Sequence, residues 1–121
     1  MIQEKFKESS FIDNIIVIGE NQKFAAALLV PDFNHLKSWC SIKGHEYTSN
    51  SEMIKNPIVI KRIQKEVDKY NKYFGDTEKI KKYEIIDFEW TEQTGEITPT
   101  LKLKRIFIYE KYKNRIDKIF T

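Results

Sequence analysis

Cysteine is almost missing from this chain: Cys40 is its one thiol. A lone cysteine excludes an internal disulfide and any zinc site built on cysteines. It also suits a reducing compartment, so the cytoplasm is the expected location. Glycine is scarce too. Gly19, Gly44, Gly75 and Gly95 each stand alone, which leaves no glycine-rich loop to cradle phosphates. His35 and His45 have no carboxylate at a matching spacing and read as surface or helix-face residues. No metal site and no Ser-His-Asp order follows from them. No apolar run approaches membrane-spanning length, and the N-terminus lacks a signal-peptide pattern. Internal repeats and low-complexity segments are absent as well.

What is present describes one ordered domain. A length of 121 residues allows one hydrophobic core and not two independent ones. Eight Phe, six Tyr and two Trp supply enough packing surface to argue against disorder. Twenty-one basic residues against 18 acidic ones give a net charge of +3. That balance leans only weakly toward anionic partners and does not single out nucleic acid. The chain starts abruptly, with Met1 directly before a helix-like pattern, as a piece of a longer protein would.

The hydrophobic pattern predicts the order α-β-β-α-α-β-β-α. Ile2 and Phe6 lie one helical turn apart within 2–8. The β-branched run 15–18 and the apolar run 24–30 flank a polar turn at 19–22, which reads as an antiparallel hairpin. Asp32 is placed to cap a helix over 33–43, ended by Gly44. Phe33, Leu36, Trp39 and Cys40 share its apolar face, and such a thiol reads as buried and inert. Segment 45–56 is loop-like, with room for a helical turn near Met53. Pro57 opens a helix to 74. Its expected inner face is Ile60, Ile63, Val67, Tyr70 and Phe74; Glu66 and Asp68 fall among lysines on the outer one. Ile86, Phe88 and Trp90 alternate along a strand at 81–90. A short extended piece is expected at 97–101, then one long helix over 104–120 with Ile106, Tyr109, Tyr112, Ile116 and Ile119 on a single stripe. The fold class is α+β: a small mixed or antiparallel sheet covered by helices.

Two basic features compete for attention. Lys61, Arg62, Lys65, Lys69 and Lys72 line one helix face, where Glu66 and Asp68 interrupt them, and a solvated face is the default reading. Lys102, Lys104 and Arg105 crowd the junction between an extended segment and a helix. Spacing alone leaves two readings of that cluster open: an anion site, or a basic strand edge that discourages aggregation. Two wider alternatives also stand. One is a small polyanion- or RNA-binding module using both clusters. The other is a non-catalytic interaction domain. Tyr109 and Tyr112 sit on the apolar stripe and not among the lysines, which argues against the first.

The segment E-I-T-P-T-L-K-L-K-R, followed by I-F-I-Y-E-K-Y-K-N-R-I-D-K-I-F, resembles the C-terminal end of the long-chain fatty-acid–CoA ligases, the AMP-forming acyl-CoA synthetases. F-I-D-N-I-I-V-I-G-E-N-Q-K-F-A-A-A-L-L-V-P-D-F looks like the stretch that opens the small C-terminal domain of that family. N-P-I-V at a helix start fits as well. The resemblance covers nearly the whole chain, and Thr98-Pro99-Thr100-Leu101-Lys102-Leu103-Lys104-Arg105 is its most specific part. In the wider adenylate-forming superfamily a Gly-Lys pair precedes two variable residues and a basic pair. Matched onto this chain, Leu101 falls at the glycine, Lys102 at the catalytic lysine and Arg105 at the first basic residue. Ile106 departs from the second basic residue, which puts one supporting charge in doubt.

The resemblance implies a C-terminal lid domain, 1–121, of a larger two-step ligase, inactive by itself. A fatty carboxylate attacks the α-phosphate of ATP, giving acyl-adenylate and pyrophosphate; the coenzyme A thiol then displaces AMP. Lys102 would stabilise the adenylation transition state, with Lys104 and Arg105 supporting substrate binding. ATP and Mg would be held mainly by an N-terminal adenylation domain in cis, expected before Met1. The implied substrates are a fatty acid, ATP and coenzyme A. No nucleic acid is expected, and the full-length protein would make peripheral membrane contact.

Overall fold

The computed structural model describes residues 2–19, 22–46, 49–76 and 78–120. Glu20 and Asn21 of the expected hairpin turn lie outside the described residues, as do Tyr47 and Thr48 of the polar loop and the side chain of Ile2.

Two strands form the expected hairpin. β1, Ile12–Ile18, runs antiparallel to β2, Ala25–Pro31, with Ile15 opposite Leu29 and Val17 opposite Ala27. Every residue of β2 is buried. The reason is its place: it is the middle strand of three, so both its faces and both its edges are covered. A continuous apolar run is what such a position requires. β3, Ile80–Ile85, lies beside β2 and parallel to it, so the sheet is mixed.

The strand expected at 81–90 is therefore shorter and begins one residue earlier. Its last tie to the sheet is the Ile86 N–H donating to the Leu29 carbonyl at 2.8 Å. The next donor toward β3 would come from residue 31, and Pro31 has no N–H. The chain leaves the sheet there. Trp90 is still buried, by packing against a helix and not as a strand residue.

The helices start where their caps predict. α1 spans Ile2–Phe6. The Asp32 carboxylate accepts from the His35 N–H to open α2, Phe33–Ile42. Ser49 caps α3, Asn50–Lys55, near the expected turn at Met53. Asn56 caps α4, Pro57–Asn71, with proline in the first turn where no N–H is needed. Asn71 ends α4 by binding both the N–H and the carbonyl of Ile80 at 2.9 Å, which fixes the helix to the start of β3. Phe74 lies past the helix and stacks on Phe6.

The inner face of α4 differs from the expected one. Val59, Ile63, Glu66, Val67 and Tyr70 are buried, whereas Ile60 is 43% exposed. Ile63, Val67 and Tyr70 are buried as expected, while Val59 and Glu66 join them in place of Ile60. Glu66 is taken inside because its two carboxylate oxygens find donors there: the Ser9 hydroxyl and the Arg62 guanidinium, the latter at 2.8 Å.

The C-terminal segment also departs from expectation. The extended piece at 97–101 is reduced to a single antiparallel bridge, Ile97 to Leu103, around a tight turn. The long helix is two short ones, α5, Arg105–Lys111, and α6, Lys113–Ile119. The break falls at Tyr112, with φ −104° and ψ 16°. Ile108, Tyr112 and Ile119 face the core, and Ile106 is 76% exposed rather than on the buried stripe. α6 packs on β3, and α1 packs on β1 and α4. The element order is thus α-β-β-α-α-α-β-α-α.

Candidate functional site

Local chemistry builds the lysine-bearing turn from its N-terminal side. Thr91 and Thr94 exchange hydroxyl and backbone bonds, with the Thr91 N–H donating to Thr94 Oγ1 at 2.9 Å and the Thr94 N–H to Thr91 Oγ1 at 3.1 Å. Gly95 follows at φ +98°, and a Cβ there would lie 2.6 Å from the Phe107 ring. Only glycine fits both the left-handed backbone and that close approach.

Residues 96–104 then form a closed loop. At its base the Lys104 N–H donates to the Glu96 carbonyl at 2.8 Å. Higher up, the Thr98 N–H donates to the Lys102 carbonyl at 2.9 Å and the Leu101 N–H to the Thr98 carbonyl at 2.8 Å. The Thr98 hydroxyl accepts from the Lys102 N–H at 3.1 Å. The threonines of the motif thus hold the turn in shape, and Pro99 sits at its exposed tip. Leu101 has φ +64°, a left-handed conformation that costs an L-residue about 1–2 kcal/mol. This is the position that matches a glycine in the wider superfamily pattern. The backbone demands a glycine-like conformation even where leucine supplies it.

The three basic residues meet different fates. Lys102 is exposed, and among the described residues no carboxylate pairs with its ammonium. Lys104 is exposed and lies 5.4 Å from the centroid of the Phe107 ring. The Arg105 guanidinium is engaged within the domain. It donates to Gln3 Oε1, to the Val17 carbonyl and to the Tyr109 hydroxyl, each at 2.8 Å. The Val17 N–H donates in turn to Gln3 Oε1 at 3.0 Å. Arg105 and Gln3 together close the outer edge of β1 at Val17. In an extended stretch Lys102 and Lys104 would share a face opposite Leu101 and Leu103; the tight turn replaces that arrangement.

Sequence reasoning missed what lies beneath the turn. Glu96 is fully buried, and its Oε2 accepts from Lys111 Nζ at 2.7 Å and from the Tyr112 hydroxyl at 2.8 Å. The Tyr112 hydroxyl accepts from Trp90 Nε1 at 3.0 Å. Among the described residues Glu96 Oε1 meets no partner. Burial alone would raise the Glu96 carboxyl, but the hydrogen bonds from Lys111 and Tyr112, with the charge of Lys111, outweigh it and hold the group below its ordinary value. Burial, together with the bond to Glu96, pushes the Tyr112 phenol well up. No periodic signal marks Glu96, because its partners lie 15 and 16 residues ahead in another helix.

Apolar side chains surround the turn. Leu101 is 70% exposed and Phe107 is 36% exposed, with Ile106 beside them. A hollow of about 550 Å³, lined by Leu103, Lys104, Arg105, Ile106, Phe107 and Glu110, opens at the same place. A larger hollow, about 710 Å³, lies elsewhere, between α3, α4, β3 and α6, and none of the three motif cations lines it. The α4 cations read as expected: Lys61, Lys65, Lys69 and Lys72 are exposed, while Arg62 lies over the Phe11 ring. Cys40 is buried, which raises its thiol pKa and leaves it unreactive. Among the described residues no three His, Cys, Asp or Glu side chains gather as a metal site requires. No described helix is long and apolar enough to cross a membrane.

A small mixed sheet with flanking helices is the fold that this chain shares with the adenylation domains of known structure. The adenylation domain of a carboxylate reductase from Mycobacterium chelonae superposes with a TM-score of 0.74 at 16% identity, over 98% of this chain and 17% of that one. The corresponding enzyme of Segniliparus rugosus, solved as a two-domain piece in complex with AMP, gives 0.72 at 15% identity over 97% and 15%. The chain belongs to the family of AMP-binding enzyme C-terminal domains, whose model matches residues 1–121. Its curated relatives are long-chain-fatty-acid–CoA ligases. FadD15 of Mycobacterium tuberculosis is 27% identical over 100% of this chain and 20% of that protein. ACSBG2 of Mus musculus is 30% identical over 99% and 20%. The chain spans about a fifth of the length of these relatives.

Proposed function

We propose that this chain is the C-terminal lid domain of an ATP-dependent long-chain fatty-acid–CoA ligase, and that Lys102 is its catalytic residue. The observation that carries the reading is the state of Lys102. It is exposed on a turn whose backbone is fixed by internal bonds, and its ammonium has no partner among the described residues, whereas Lys104 lies over the Phe107 ring and Arg105 bonds within the domain. A fatty carboxylate attacks the α-phosphate, and the bond between the α- and β-phosphates breaks to release pyrophosphate. Two anions must approach, and charge accumulates on their oxygens. A lysine ammonium on a flexible stem stabilises both where water is excluded. In the second step the coenzyme A thiol attacks the acyl carbonyl, loses its proton and expels AMP.

Lys104 supports substrate binding from the same turn. Arg105 contributes mainly by fixing the turn to β1, since three of its bonds lie inside the domain. The exposed Leu101, Ile106 and Phe107 form the face on which a larger adenylation domain in cis closes. That domain holds ATP, the fatty acid and the magnesium that accompanies the nucleotide; a magnesium ion supplies charge neutralisation at the phosphates when bound there. The isolated chain is inactive because it contains only the lysine half of the site.

The test uses the complete ligase and separates the half-reactions. Lys102→Ala abolishes acyl-adenylate formation, read as pyrophosphate release. It largely spares thioester formation from supplied acyl-adenylate. Equal loss of both half-reactions, or robust acyl-CoA formation by the 121-residue chain alone, overturns the proposal.

A further inference from the structure

We infer that Glu96 is a positioning residue for Lys102, acting through its ion pair with Lys111. This rests on the reading of Lys102 as the adenylation lysine. The tip of the turn has nothing beneath it: Pro99, Thr100, Leu101 and Lys102 are all exposed. Its internal bonds fix its shape but not its direction relative to the domain. Direction is set at the base, where the loop leaves and re-enters the body. On the re-entry side Arg105 grips β1. On the leaving side the grip is the Glu96 carboxylate, buried among Lys111 and Tyr112. Lys111 also donates to the Thr94 carbonyl at 3.2 Å, so one ammonium holds the chain on both sides of Gly95.

A buried carboxylate is a poor choice for stability alone. Removing it from water is costly, and well-packed apolar residues of similar volume serve as well or better. Here the cost is not even fully offset, because Oε1 has no partner among the described residues. What a buried ion pair provides, and an apolar contact does not, is a fixed direction. Glu96 supplies the Lys104 N–H with its carbonyl and Lys111 with its carboxylate. It therefore couples the hairpin base to the end of α5. A displacement of about 1 Å at the reacting atoms costs on the order of a hundredfold in rate.

The experiment measures both half-reactions of the complete ligase with Glu96→Gln, Lys111→Met and their double variant. Glu96→Gln keeps the shape and removes the charge. The expected result is a roughly 10- to 100-fold fall in kcat for adenylation, following from that displacement cost. KM for ATP and fatty acid stays within about threefold, and thioester formation is spared. Lys111→Met, which also gives up the bond to the Thr94 carbonyl, falls by at least as much, and the double variant is no worse than Lys111→Met alone, because the ion pair is already lost there. Glu96→Asp, which keeps the charge, recovers part of the lost rate. Should the Glu96→Gln chain not fold, Lys111→Met carries the same comparison. Unchanged adenylation in a folded variant, an equal fall in both half-reactions, or multiplicative losses in the double variant overturns the inference. Lys102→Ala run in parallel separates the two readings. If it leaves adenylation intact, the role of Lys102 fails; if it abolishes adenylation while Glu96→Gln does not affect it, only the positioning role of Glu96 fails.

Discussion

Replacing Tyr112 by phenylalanine isolates the polar network under the lysine turn. The ring stays, so its packing against Trp90 and Phe88, with centroids 5.9 Å and 6.4 Å away, is retained. One oxygen is lost. That oxygen donates to Glu96 at 2.8 Å and accepts from the Trp90 indole at 3.0 Å. Both partners are buried, Glu96 at 0% and Trp90 at 1% exposure, so water does not replace it. A hydrogen bond to a charged group contributes about 1.5–3 kcal/mol, and a buried donor left unmade costs about 1–3 kcal/mol. Glu96 keeps Lys111, which puts its share at the low end, about 1.5 kcal/mol, and the sum is about 2.5–4.5 kcal/mol. An unfolding entropy of about 2.1 cal/mol/K per residue corresponds to roughly 250 cal/mol/K for this chain. The expected fall in Tm is therefore about 10–18 °C. Urea titration of the 121-residue chain reads the same loss as a lower midpoint at unchanged slope. A loss under about 0.5 kcal/mol would refute the reasoning, since the two buried groups would then be satisfied without the hydroxyl.

Three further substitutions test two particular elements. Leu101→Gly relieves a left-handed leucine at φ +64° that is 70% exposed. The relief of about 1–2 kcal/mol less a glycine entropy of about 0.5–1 kcal/mol predicts a gain of about 0.5–1 kcal/mol, and a scanning-calorimetry Tm that falls instead contradicts the strain. Val59→Ala removes fully buried methyl groups and costs about 2 kcal/mol, while Ile60→Ala on the half-exposed side costs under about 0.5 kcal/mol. Equal midpoint shifts in urea would mean that the inner face of α4 is not the one described.

Local chemistry was the legible part of the fold. The β1–β2 hairpin followed from two apolar runs around a polar turn, and the helix starts at Phe33 and Pro57 followed from Asp32 and from proline's missing N–H. What was not legible depends on partners distant in sequence. β3 pairs parallel to β2 across an intervening stretch of helices, and it stops where Pro31 on another strand withholds a donor. The buried stripe of α4 includes Glu66 because Ser9 and Arg62 make a carboxylate tolerable inside. A carboxylate among lysines looks solvated until its partners are known. The break at Tyr112 has the same origin, since nothing nearby in sequence announces that its hydroxyl is tied to Trp90 and Glu96.

The motif cations show why a charge cluster alone is a poor guide to chemistry. Lys102, Lys104 and Arg105 are within four positions of one another and carry the same charge. Their surroundings assign them different work. Arg105 presents a planar fork, and three bonds to Gln3, Val17 and Tyr109 make it a fastener for the turn. Lys104 gives its backbone N–H to Glu96 and so belongs to the base of the hairpin as much as to the surface. Lys102 gives its backbone to Thr98 on both sides, through its N–H and its carbonyl, and keeps its side chain outside. On the proposed role of Lys102, a flexible ammonium held by a rigid backbone suits adenylation, because the reach must be adjustable while the origin of the reach is not. The lysine is placed by neighbours that contact no substrate. On that proposed role, loosening this support through Glu96 or Lys111 slows adenylation by roughly 10- to 100-fold, whereas loss of the ammonium itself abolishes it.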